Sequence, residues 1–410
     1  MTKHLIIGSG PAALGAVDAI RRLNKTDEVK VVSKEDCLPY SPAGLPYLLA
    51  GRTGEAEFYS RGADYFEKQK VTFVRGKEIV QIVPDKKQVI YRNGEAEGYD
   101  SLLIAGGASP AGGPGGDGAL EFHTLADCRR LAAKVKPGVD VAVLGAGMVA
   151  VELAVALAER GGKVSIIGRG RPLRAYFDEK AGAFIARALA EHGINIKTGK
   201  AITQVKKGGD GFQVVCADGE VFKASAVVSC IGVKPRLDLV DGSGIAVNQG
   251  IVVDRRMRTN IDGIYAAGDV AEAPSFADGR PGVSAILPNA TAQGVVAGAN
   301  MAGGVVEYEG WLPMNLLKLY GNSAFSIGAA MPDGGELLEK SDEANRRFER
   351  LAFSDGRLAG AMLVNVNIDP GVISYLIRRR VNIGKHRRAL FEQPLEVGRW
   401  LMMANERGKA

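Results

Sequence analysis

The sequence has few cysteines and no long apolar run, and both absences narrow the class of protein. The only cysteines among the 410 residues show no C-x-x-C pair and no zinc or iron–sulfur ligand spacing. No metal site and no disulfide scaffold are therefore expected, and reduced thiols are typical of the cytoplasm. No stretch approaches 18 consecutive apolar residues, so we expect no membrane-spanning helix. An apolar strand pattern follows Met1 almost at once, so we also expect no signal peptide and a cytoplasmic location. The four cysteines are Cys37, Cys128, Cys216 and Cys230.

The composition is that of a globular chain rich in glycine. With 46% apolar residues over 410 positions, the chain can bury the cores of two or three domains. The 54 glycines are not periodic, and they cluster in loops after apolar runs, as in nucleotide-binding folds. The net charge of +6 is interpreted as solubility charge. No recognition motif accompanies it, so nucleic-acid binding is not expected.

A glycine loop near the N-terminus predicts a first dinucleotide site. An apolar run at 5–7 is followed by Gly8-x-Gly10-x-x-Ala13, a helical pattern to residue 22 and a second strand at 29–32. The glycines permit a tight turn and a close approach of the backbone to a pyrophosphate, which would face the helix N-terminus. After the second strand, Ser33 occupies the place of the usual ribose-binding acid, and Glu35 could substitute for it. The predicted contacts here are Gly8, Gly10, Pro11, Ala12, Ala13, Ser33, Lys34 and Glu35.

The same unit recurs about 137 positions later, which indicates a tandem pair of dinucleotide domains. A strand at 141–144 precedes Gly145-x-Gly147-x-x-Ala150, a helix runs to residue 159, and a strand occupies 164–167. The segment after that strand, 168–174, has arginines and no carboxylate. On this ground alone it favours the 2′-phosphate of NADPH.

The remaining patterns divide the chain. Residues 110–118 form a glycine-rich linker, a strand near 263–267 ends at Gly268 and Asp269, and the composition changes near residue 312. A hairpin is predicted for 348–353 and 358–366, and the last 35 residues look helical. The predicted fold class is α/β, with two Rossmann-type dinucleotide-binding domains and a C-terminal α+β interface domain. The predicted segments are 1–111 and 237–311 for FAD, 119–236 for NAD(P), and 312–410 for the interface.

The order of these motifs resembles the FAD-dependent pyridine nucleotide–disulfide oxidoreductase superfamily. The resemblance rests on both glycine loops, the strand ending Ala105-Gly106-Gly107-x-x-Pro110, the segment Cys230-x-Gly232, and Gly-Ile-Tyr-Ala-Ala-Gly268-Asp269. It implies FAD and NAD(P) as cofactors, with Asp269 on the ribityl chain. The further FAD contacts that it implies are Pro42, Ala105, Gly106, Gly107, Gly268, Pro288, Asn289 and Ala290, with Gln293 in the same segment. The NAD(P) contacts are Gly145, Gly147, Met148, Val149, Glu152, Gly168, Arg169, Arg174 and Gly232.

Several parts of the superfamily pattern are missing from this chain. There is no C-x-x-x-x-C pair, Ala43 stands where the single-cysteine branch has its redox cysteine, and no histidine has the setting of an acid–base group. The resemblance therefore implies hydride transfer between nicotinamide and flavin N5, followed by one-electron exchange. Glu152 would stand near the nicotinamide carboxamide, although an ordinary helix glutamate is an equal interpretation. No catalytic residue is otherwise assigned.

The loop Leu-Pro-Tyr-Ser-Pro and the arginine-rich tail resemble the NAD-reducing subunits of phenylglyoxylate-type 2-oxoacid dehydrogenase complexes. This implies an iron–sulfur, ferredoxin-like subunit and 2-oxoacid oxidoreductase subunits as partners, and NADH rather than NADPH; the choice of nicotinamide stays open. The tail, 378–388, is either a solvated basic helix or a docking surface for an acidic subunit. A homodimer through the C-terminal domain is a further expectation. One alternative is a stand-alone NAD(P)H oxidase or an enzyme that resembles the reductases of rubredoxin, nitrite or coenzyme A disulfide. Another is a non-enzymatic flavin scaffold, which the second glycine loop disfavours.

Overall fold

The computed structural model describes residues 1–113, 118–209, 211–329 and 335–408. Four residues of the predicted linker, 114–117, lie outside this part. The chain divides into two compact units, Met1–Ala111 with Val233–Leu312 and Gly112–Gly232 with Pro313–Ala410. We call them the first and the second unit. None of the helices in the described part is both long and apolar enough to cross a membrane.

Residues 1–111 begin with the predicted strand, glycine loop and helix. Strand β1 (Lys3–Ile7) is buried from His4 onward, as expected for a central strand of a parallel sheet. Helix α1 (Pro11–Leu23) buries the face that carries Leu14, Val17 and Ile20. The other elements are β2 (Glu28–Val32), α2 (Leu45–Leu49), α3 (Glu55–Phe58), α4 (Tyr65–Lys68), β3 (Thr72–Val74), β4 (Ile79–Val83), β5 (Gln88–Tyr91), β6 (Ala96–Gly98), β7 (Ser101–Ile104) and β8 (Ala108–Pro110).

Residues 112–232 repeat this arrangement. The predicted second motif of strand, glycine loop, helix and strand is found at the predicted positions, because nearby apolar runs and glycines determine where each of its elements begins and ends. The elements are β9 (Leu120–Glu121), α5 (Leu125–Lys134), β10 (Asp140–Leu144), α6 (Met148–Glu159), β11 (Lys163–Ile167), α7 (Glu179–Glu191), β12 (Asn195–Lys197), β13 (Ile202–Gly208), β14 (Gly211–Cys216), β15 (Val221–Ala224) and β16 (Ala226–Ser229).

Residues 233–312 return to the first unit and complete it. Strand β19 (Ile264–Ala266) is the buried strand that the sequence placed before Gly268. Helix α8 (Leu287–Met301) follows, with a proline in its first turn. The other strands are β17 (Val233–Pro235), β18 (Ile251–Val252), β20 (Ala271–Pro274) and β21 (Pro281–Gly282).

The C-terminal residues form an antiparallel sheet followed by helices. The predicted hairpin is confirmed, since β25 (Arg347–Ser354) and β26 (Arg357–Val364) pair on either side of a turn at Asp355 and Gly356. The predicted helical tail is also confirmed. The elements are β22 (Met314–Leu319), β23 (Asn322–Gly328), β24 (Glu336–Asp342), β25 (Arg347–Ser354), β26 (Arg357–Val364), α9 (Pro370–Arg378), α10 (Arg387–Glu392) and α11 (Pro394–Glu406).

The first unit is built on a five-stranded parallel sheet with the order β19-β7-β1-β2-β3. In this register Ile7 pairs with both Val32 and Ile104, and Ile104 pairs with Ala266. The carboxyl ends of four strands therefore lie level at one edge. Ligands of open α/β sheets bind outside this edge.

The second unit contains a matching parallel sheet with the order β12-β11-β10-β16-β9. Leu144 pairs with both Ile167 and Ser229, so β10, β11 and β16 also end level. The C-terminal sheet of the same unit has the order β22-β23-β26-β25-β24. The two Rossmann-type sheets and the C-terminal domain agree with the predicted fold class. The exact domain boundaries stay a prediction.

Candidate dinucleotide sites

The predicted FAD residues of the first unit gather at the carboxyl edge of its sheet. Gly8 follows β1 and donates its N–H to the Val32 carbonyl at 2.8 Å, while the Ala105 N–H bonds to the Ile7 carbonyl at 2.9 Å. The Ala267 N–H in turn bonds to the Ile104 carbonyl at 3.1 Å. These bonds extend the strand pairing into the loops, so three loops that are distant in sequence form one edge.

The glycines of the first loop leave room for a phosphate group. Gly8 has φ +104°, and a Cβ there would lie 2.2 Å from the Ala105 carbonyl oxygen, so only glycine fits between the strands. Gly10 has no atom within 4 Å of its Cβ position. It precedes α1, whose first turn has no capping side chain. The N-terminal N–H groups of α1, including those of Ala12 and Ala13, thus have no capping side chain, and the space beside Gly10 is open, which fits a pyrophosphate.

Three other helices of the chain have a capping side chain, whereas α2, α4, α8, α10 and α11 also have none. The side chain of Thr124 caps α5, that of Asp178 caps α7, and that of Asp369 caps α9. The two glycine-loop helices, α1 and α6, instead begin after Gly10 and Gly147, which have no side chain to offer. A bound anion would satisfy these helix termini in place of a cap.

The three predicted contacts after β2, of which Ser33 and Glu35 are expected at the ribose, differ in their surroundings. Ser33 is buried and its hydroxyl accepts a hydrogen bond from Ser9 at 3.1 Å. The Glu35 carboxylate accepts the Tyr40 hydroxyl at 2.7 Å and is half-buried. Lys34 is exposed. Ser33 and Glu35 both lie at the loop, and Glu35 supplies the only carboxylate of the three.

Gln293 holds the turn at Gly268. The sequence predicts this residue beside the flavin but does not predict its role. Gln293 is 1% exposed, and its Oε1 accepts the Gly268 N–H at 2.8 Å. A Cβ at Gly268 would lie 3.2 Å from the Ala12 Cβ and 3.7 Å from the Ala290 Cβ. The structure thus brings Ala12, Gly268 and Ala290 together, with half-buried Asp269 next in the chain.

The start of α8 combines one exposed and one fully buried predicted contact. Pro288 is exposed in the first turn. Asn289 is 0% exposed, and its Nδ2 donates to the Ser284 hydroxyl at 2.8 Å and to the Leu312 carbonyl at 3.3 Å. The Asn289 side chain therefore anchors this segment, and its contact with the flavin stays a prediction.

The last predicted FAD contacts lie on two loops. Gly107 has φ +69°, and its carbonyl accepts the Arg236 N–H at 3.1 Å. A Cβ at Gly106 would meet the Leu239 side chain at 3.3 Å. Pro42 begins an exposed single-turn helix, Pro42–Gly44, that also contains Ala43.

The second glycine loop repeats the geometry of the first. Gly145 has φ +110°, its N–H bonds to the Ile167 carbonyl at 2.8 Å, and a Cβ would lie 2.4 Å from the Cys230 carbonyl oxygen. Gly147 has no atom within 4 Å of its Cβ position, and α6 begins directly after it. Gly232, with φ +120°, is exposed two residues after Cys230. This loop fits a second dinucleotide for the same reasons.

Three predicted nicotinamide contacts lie on the first two turns of α6. Met148 is half-buried, and Val149 is exposed despite its apolar side chain. Burial raises the pKa of the Glu152 carboxyl to about 7, since a buried carboxylate loses its hydration. At neutral pH a large fraction of Glu152 is therefore protonated and can donate a hydrogen bond. A perturbed group beside a cofactor loop is typical of a functional site.

The segment after β11 carries the remaining predicted contacts. Gly168 donates its N–H to the Lys197 carbonyl at 3.0 Å, and a Cβ on Gly168 would lie 3.3 Å from the Ala146 Cβ. Arg169 and Arg174 are both exposed. They lie on a loop that is hydrogen-bonded to the second glycine loop.

Three of the four thiols, those of Cys128, Cys216 and Cys230, are poorly suited to redox chemistry, while Cys37 is half-buried. Cys128 and Cys216 are buried, and burial raises the pKa of Cys216 and raises that of Cys230 to about 12. The thiolate is the reactive form, so these values disfavour it. No cluster of metal-ligating side chains occurs among residues 1–113, 118–209, 211–329 and 335–408.

Two parallel sheets, each with an uncapped glycine-loop helix at its carboxyl edge, define an oxidoreductase that binds two dinucleotides. The family model described as pyridine nucleotide-disulphide oxidoreductase matches residues 2–294, and the chain belongs to this family. A second model, the rubredoxin NAD+ reductase C-terminal domain, matches residues 313–367. The cofactors are FAD and NAD(P), as predicted. The chain is an NAD(P)H-dependent flavoprotein oxidoreductase of the rubredoxin or ferredoxin reductase type.

Curated relatives and solved structures agree with this assignment. The NADH-dependent phenylglyoxylate dehydrogenase subunit epsilon of Aromatoleum evansii is 36% identical over 98% of this chain and 97% of its own length. The NADH-rubredoxin oxidoreductase of Clostridium acetobutylicum is 31% identical over 80% of this chain and 82% of its own length. The covalent putidaredoxin reductase–putidaredoxin complex contains a chain with a TM-score of 0.88 and 23% identity over 99% of both chains, which shows a common fold.

Proposed function

We propose that this chain transfers electrons between a nicotinamide dinucleotide and an iron–sulfur protein, as the nicotinamide-linked subunit of a phenylglyoxylate-type 2-oxoacid dehydrogenase complex. The observation that carries the electron-transfer part is Ala43. It is exposed on the turn Pro42–Gly44, where thiol-dependent members of the superfamily have a redox cysteine. Without a thiol at this place, electrons leave the flavin directly.

The residues of the chain bind and orient rather than exchange protons. The N–H groups at the start of α1 and α6 hold the two pyrophosphates, and Gln293 fixes the Gly268 turn from which Asp269 reaches the ribityl chain. Protonated Glu152 donates a hydrogen bond to the nicotinamide carboxamide and so orients the ring. The bound cofactors supply hydride transfer, and each hydride reduces two one-electron acceptors and leaves one proton.

The assignment to a complex is supported by the relative from Aromatoleum evansii, which matches over nearly the whole of both chains. Its name describes one subunit of a dehydrogenase. By this analogy the partners are an iron–sulfur, ferredoxin-like subunit and 2-oxoacid oxidoreductase subunits in the cytoplasm. The 2-oxoacid then binds another subunit, and a homodimer through the C-terminal domain is part of the same proposal.

A second candidate is a free-standing rubredoxin-type reductase. It is favoured by the match of residues 313–367 to the rubredoxin NAD+ reductase C-terminal domain. Both candidates use the same hydride step and differ in the acceptor, so one set of assays separates them.

The test is anaerobic reduction of the purified holoprotein, followed by addition of acceptors. We expect NAD(P)H to bleach the flavin absorbance, and a viologen dye or ferredoxin to restore it. Coenzyme A disulfide and peroxide should not restore it. Recovery by the disulfide or peroxide would refute the proposal, because it requires a redox-active cysteine.

A reconstituted complex tests the assignment of this chain to a 2-oxoacid dehydrogenase. Purified 2-oxoacid oxidoreductase subunits should reduce NAD(P)+ from phenylglyoxylate only when this chain is added. An Ala43→Ser variant serves as a matched control, since it adds a hydroxyl of similar size to a thiol and should leave the rate unchanged. Rapid turnover with rubredoxin and none with the 2-oxoacid subunits would favour the second candidate.

A further inference from the structure

The loop that follows β11 is bonded to the second glycine loop. The Leu173 N–H donates to the Ala146 carbonyl at 2.7 Å, and Ala146 lies between Gly145 and Gly147. Leu173 is 1% exposed and has φ +59°. A non-glycine residue rarely adopts this left-handed conformation, and it persists only where the surroundings hold it. The loop 168–174 is therefore fixed beside the place where we expect a dinucleotide pyrophosphate.

The three arginines of this loop have different surroundings. Arg171 is turned inward, where its guanidinium donates to the Phe177 carbonyl at 2.5 Å and lies against Gly182. Arg169 and Arg174 are exposed, and neither makes a hydrogen bond or ion pair with any residue that the structure describes. Two cations therefore remain available at the loop, and the third supports its fold.

Gly170 provides the space that Arg174 occupies. A Cβ at Gly170 would lie 2.5 Å from the Arg174 Cδ and 2.8 Å from its Nε. The Arg174 side chain thus lies across the Gly170 backbone, directly after the residue bonded to the glycine loop. Even an alanine at position 170 would displace this guanidinium.

The position of this loop decides which nicotinamide is bound. In a Rossmann unit, a carboxylate after the second strand binds the ribose 2′-hydroxyl of NADH, and an arginine there accommodates the 2′-phosphate of NADPH. No carboxylate occurs from residue 168 to residue 177. Asp178, the next one along the chain, caps α7 at the Ala181 N–H and pairs with Arg350 at 2.6 Å.

We propose that Arg169 and Arg174 bind the 2′-phosphate of NADPH, and that the chain prefers NADPH to NADH. This proposal rests on the proposed function, since it names the nicotinamide used by the same site. It also distinguishes this chain from its Aromatoleum evansii relative, whose name specifies NADH. A planar guanidinium pair is suited to a phosphate dianion because each can donate two hydrogen bonds.

The test measures binding of NADP+ and NAD+ to the oxidised holoprotein by calorimetry, and flavin bleaching by NADPH and NADH in parallel. The wild type should bind NADP+ more tightly than NAD+. Arg169→Ala and Arg174→Ala should each weaken NADP+ binding by about tenfold, and NAD+ binding by less than about twofold. Gly170→Ala should weaken NADP+ selectively by displacing Arg174. Arg407→Ala, an exposed arginine at the end of α11, is the matched control.

Each outcome has a defined meaning. Stronger binding of NAD+ than of NADP+ by the wild type would overturn the preference. Equal losses for both dinucleotides in the arginine variants would overturn the phosphate assignment, because they would place the arginines on a part common to both. If neither NADPH nor NADH bleaches the flavin, the proposed function itself fails, and this result is distinct from the other two.

Discussion

Replacing Glu152 by glutamine should change the pH dependence of stability in a defined direction. Burial raises the pKa of this carboxyl from 4.5 to about 7 in the folded chain. A raised pKa means that the stability of the wild type is complete below the unfolded value and is lost as the pH rises through the folded one. The loss therefore develops between about pH 4.5 and pH 7, and glutamine, which has no charge, does not undergo it.

The size of this effect follows from the shift. At about 1.4 kcal/mol per pKa unit, a rise from 4.5 to about 7 corresponds to an upper limit of about 3.5 kcal/mol. We expect Glu152→Gln to be more stable than the wild type above pH 7 by a large part of this amount. The difference should be smallest near pH 5, the lower end of this range, and should grow as the pH rises. Urea unfolding of the holoprotein without nicotinamide, between pH 5 and pH 8, measures the difference.

A second glutamate on the same helix provides the control. Glu159, at the end of α6, is exposed, and Glu159→Gln controls for the removal of a carboxylate from this helix. A difference between Glu152→Gln and the wild type that stays constant from pH 5 to pH 8 would refute the reasoning. It would mean that the Glu152 carboxylate remains hydrated in the folded chain.

Three further predictions concern other sites. Gly147→Ala should leave the melting temperature unchanged, since no protein atom lies near its Cβ position, but it should weaken nicotinamide binding by roughly tenfold. Gly145→Ala should instead lower the melting temperature, because its Cβ would lie 2.4 Å from a carbonyl oxygen. Ala43→Cys should raise NAD(P)H-dependent reduction of coenzyme A disulfide by roughly tenfold or more, and an unchanged rate would contradict the place assigned to this residue. Glu272→Ala should cost about 3 kcal/mol in urea unfolding, since the buried carboxylate accepts hydrogen bonds from Asn248 and from two backbone N–H groups; a loss below about 1 kcal/mol would show that water replaces these bonds.

Much of the fold was predictable from the sequence because the signals for these strands, helices and turns lie close together along the chain. The apolar runs before Gly8 and Gly145 predicted β1 and β10, and the glycines predicted where α1 and α6 begin. The hairpin of β25 and β26 followed from two apolar runs around a turn. In each case the sequence within about twenty residues contains the signal.

The details of the sites were not predictable because they depend on contacts between distant residues. Gln293 bonds to a backbone N–H 25 residues away, and Asn289 bonds to a carbonyl 23 residues away. The sequence also does not distinguish Arg171 from Arg174, since both follow the same strand. Their difference arises from the Phe177 carbonyl, which binds one of them, and from Gly170, which leaves space for the other.

The close contact of α1 with α8 bears on the order of events during synthesis. A Cβ at Gly294 would lie 1.9 Å from the Ala12 carbonyl oxygen, and one at Gly298 would lie 2.4 Å from that of Ala16, so the backbones of the two helices touch. Helix α1 leaves the ribosome before α8, and it gains this neighbour only after all the residues between the two helices, including the second dinucleotide-binding segment, have been made. The flavin pocket is therefore completed late in translation, and a nascent chain that stops within the nicotinamide domain has no finished place for FAD.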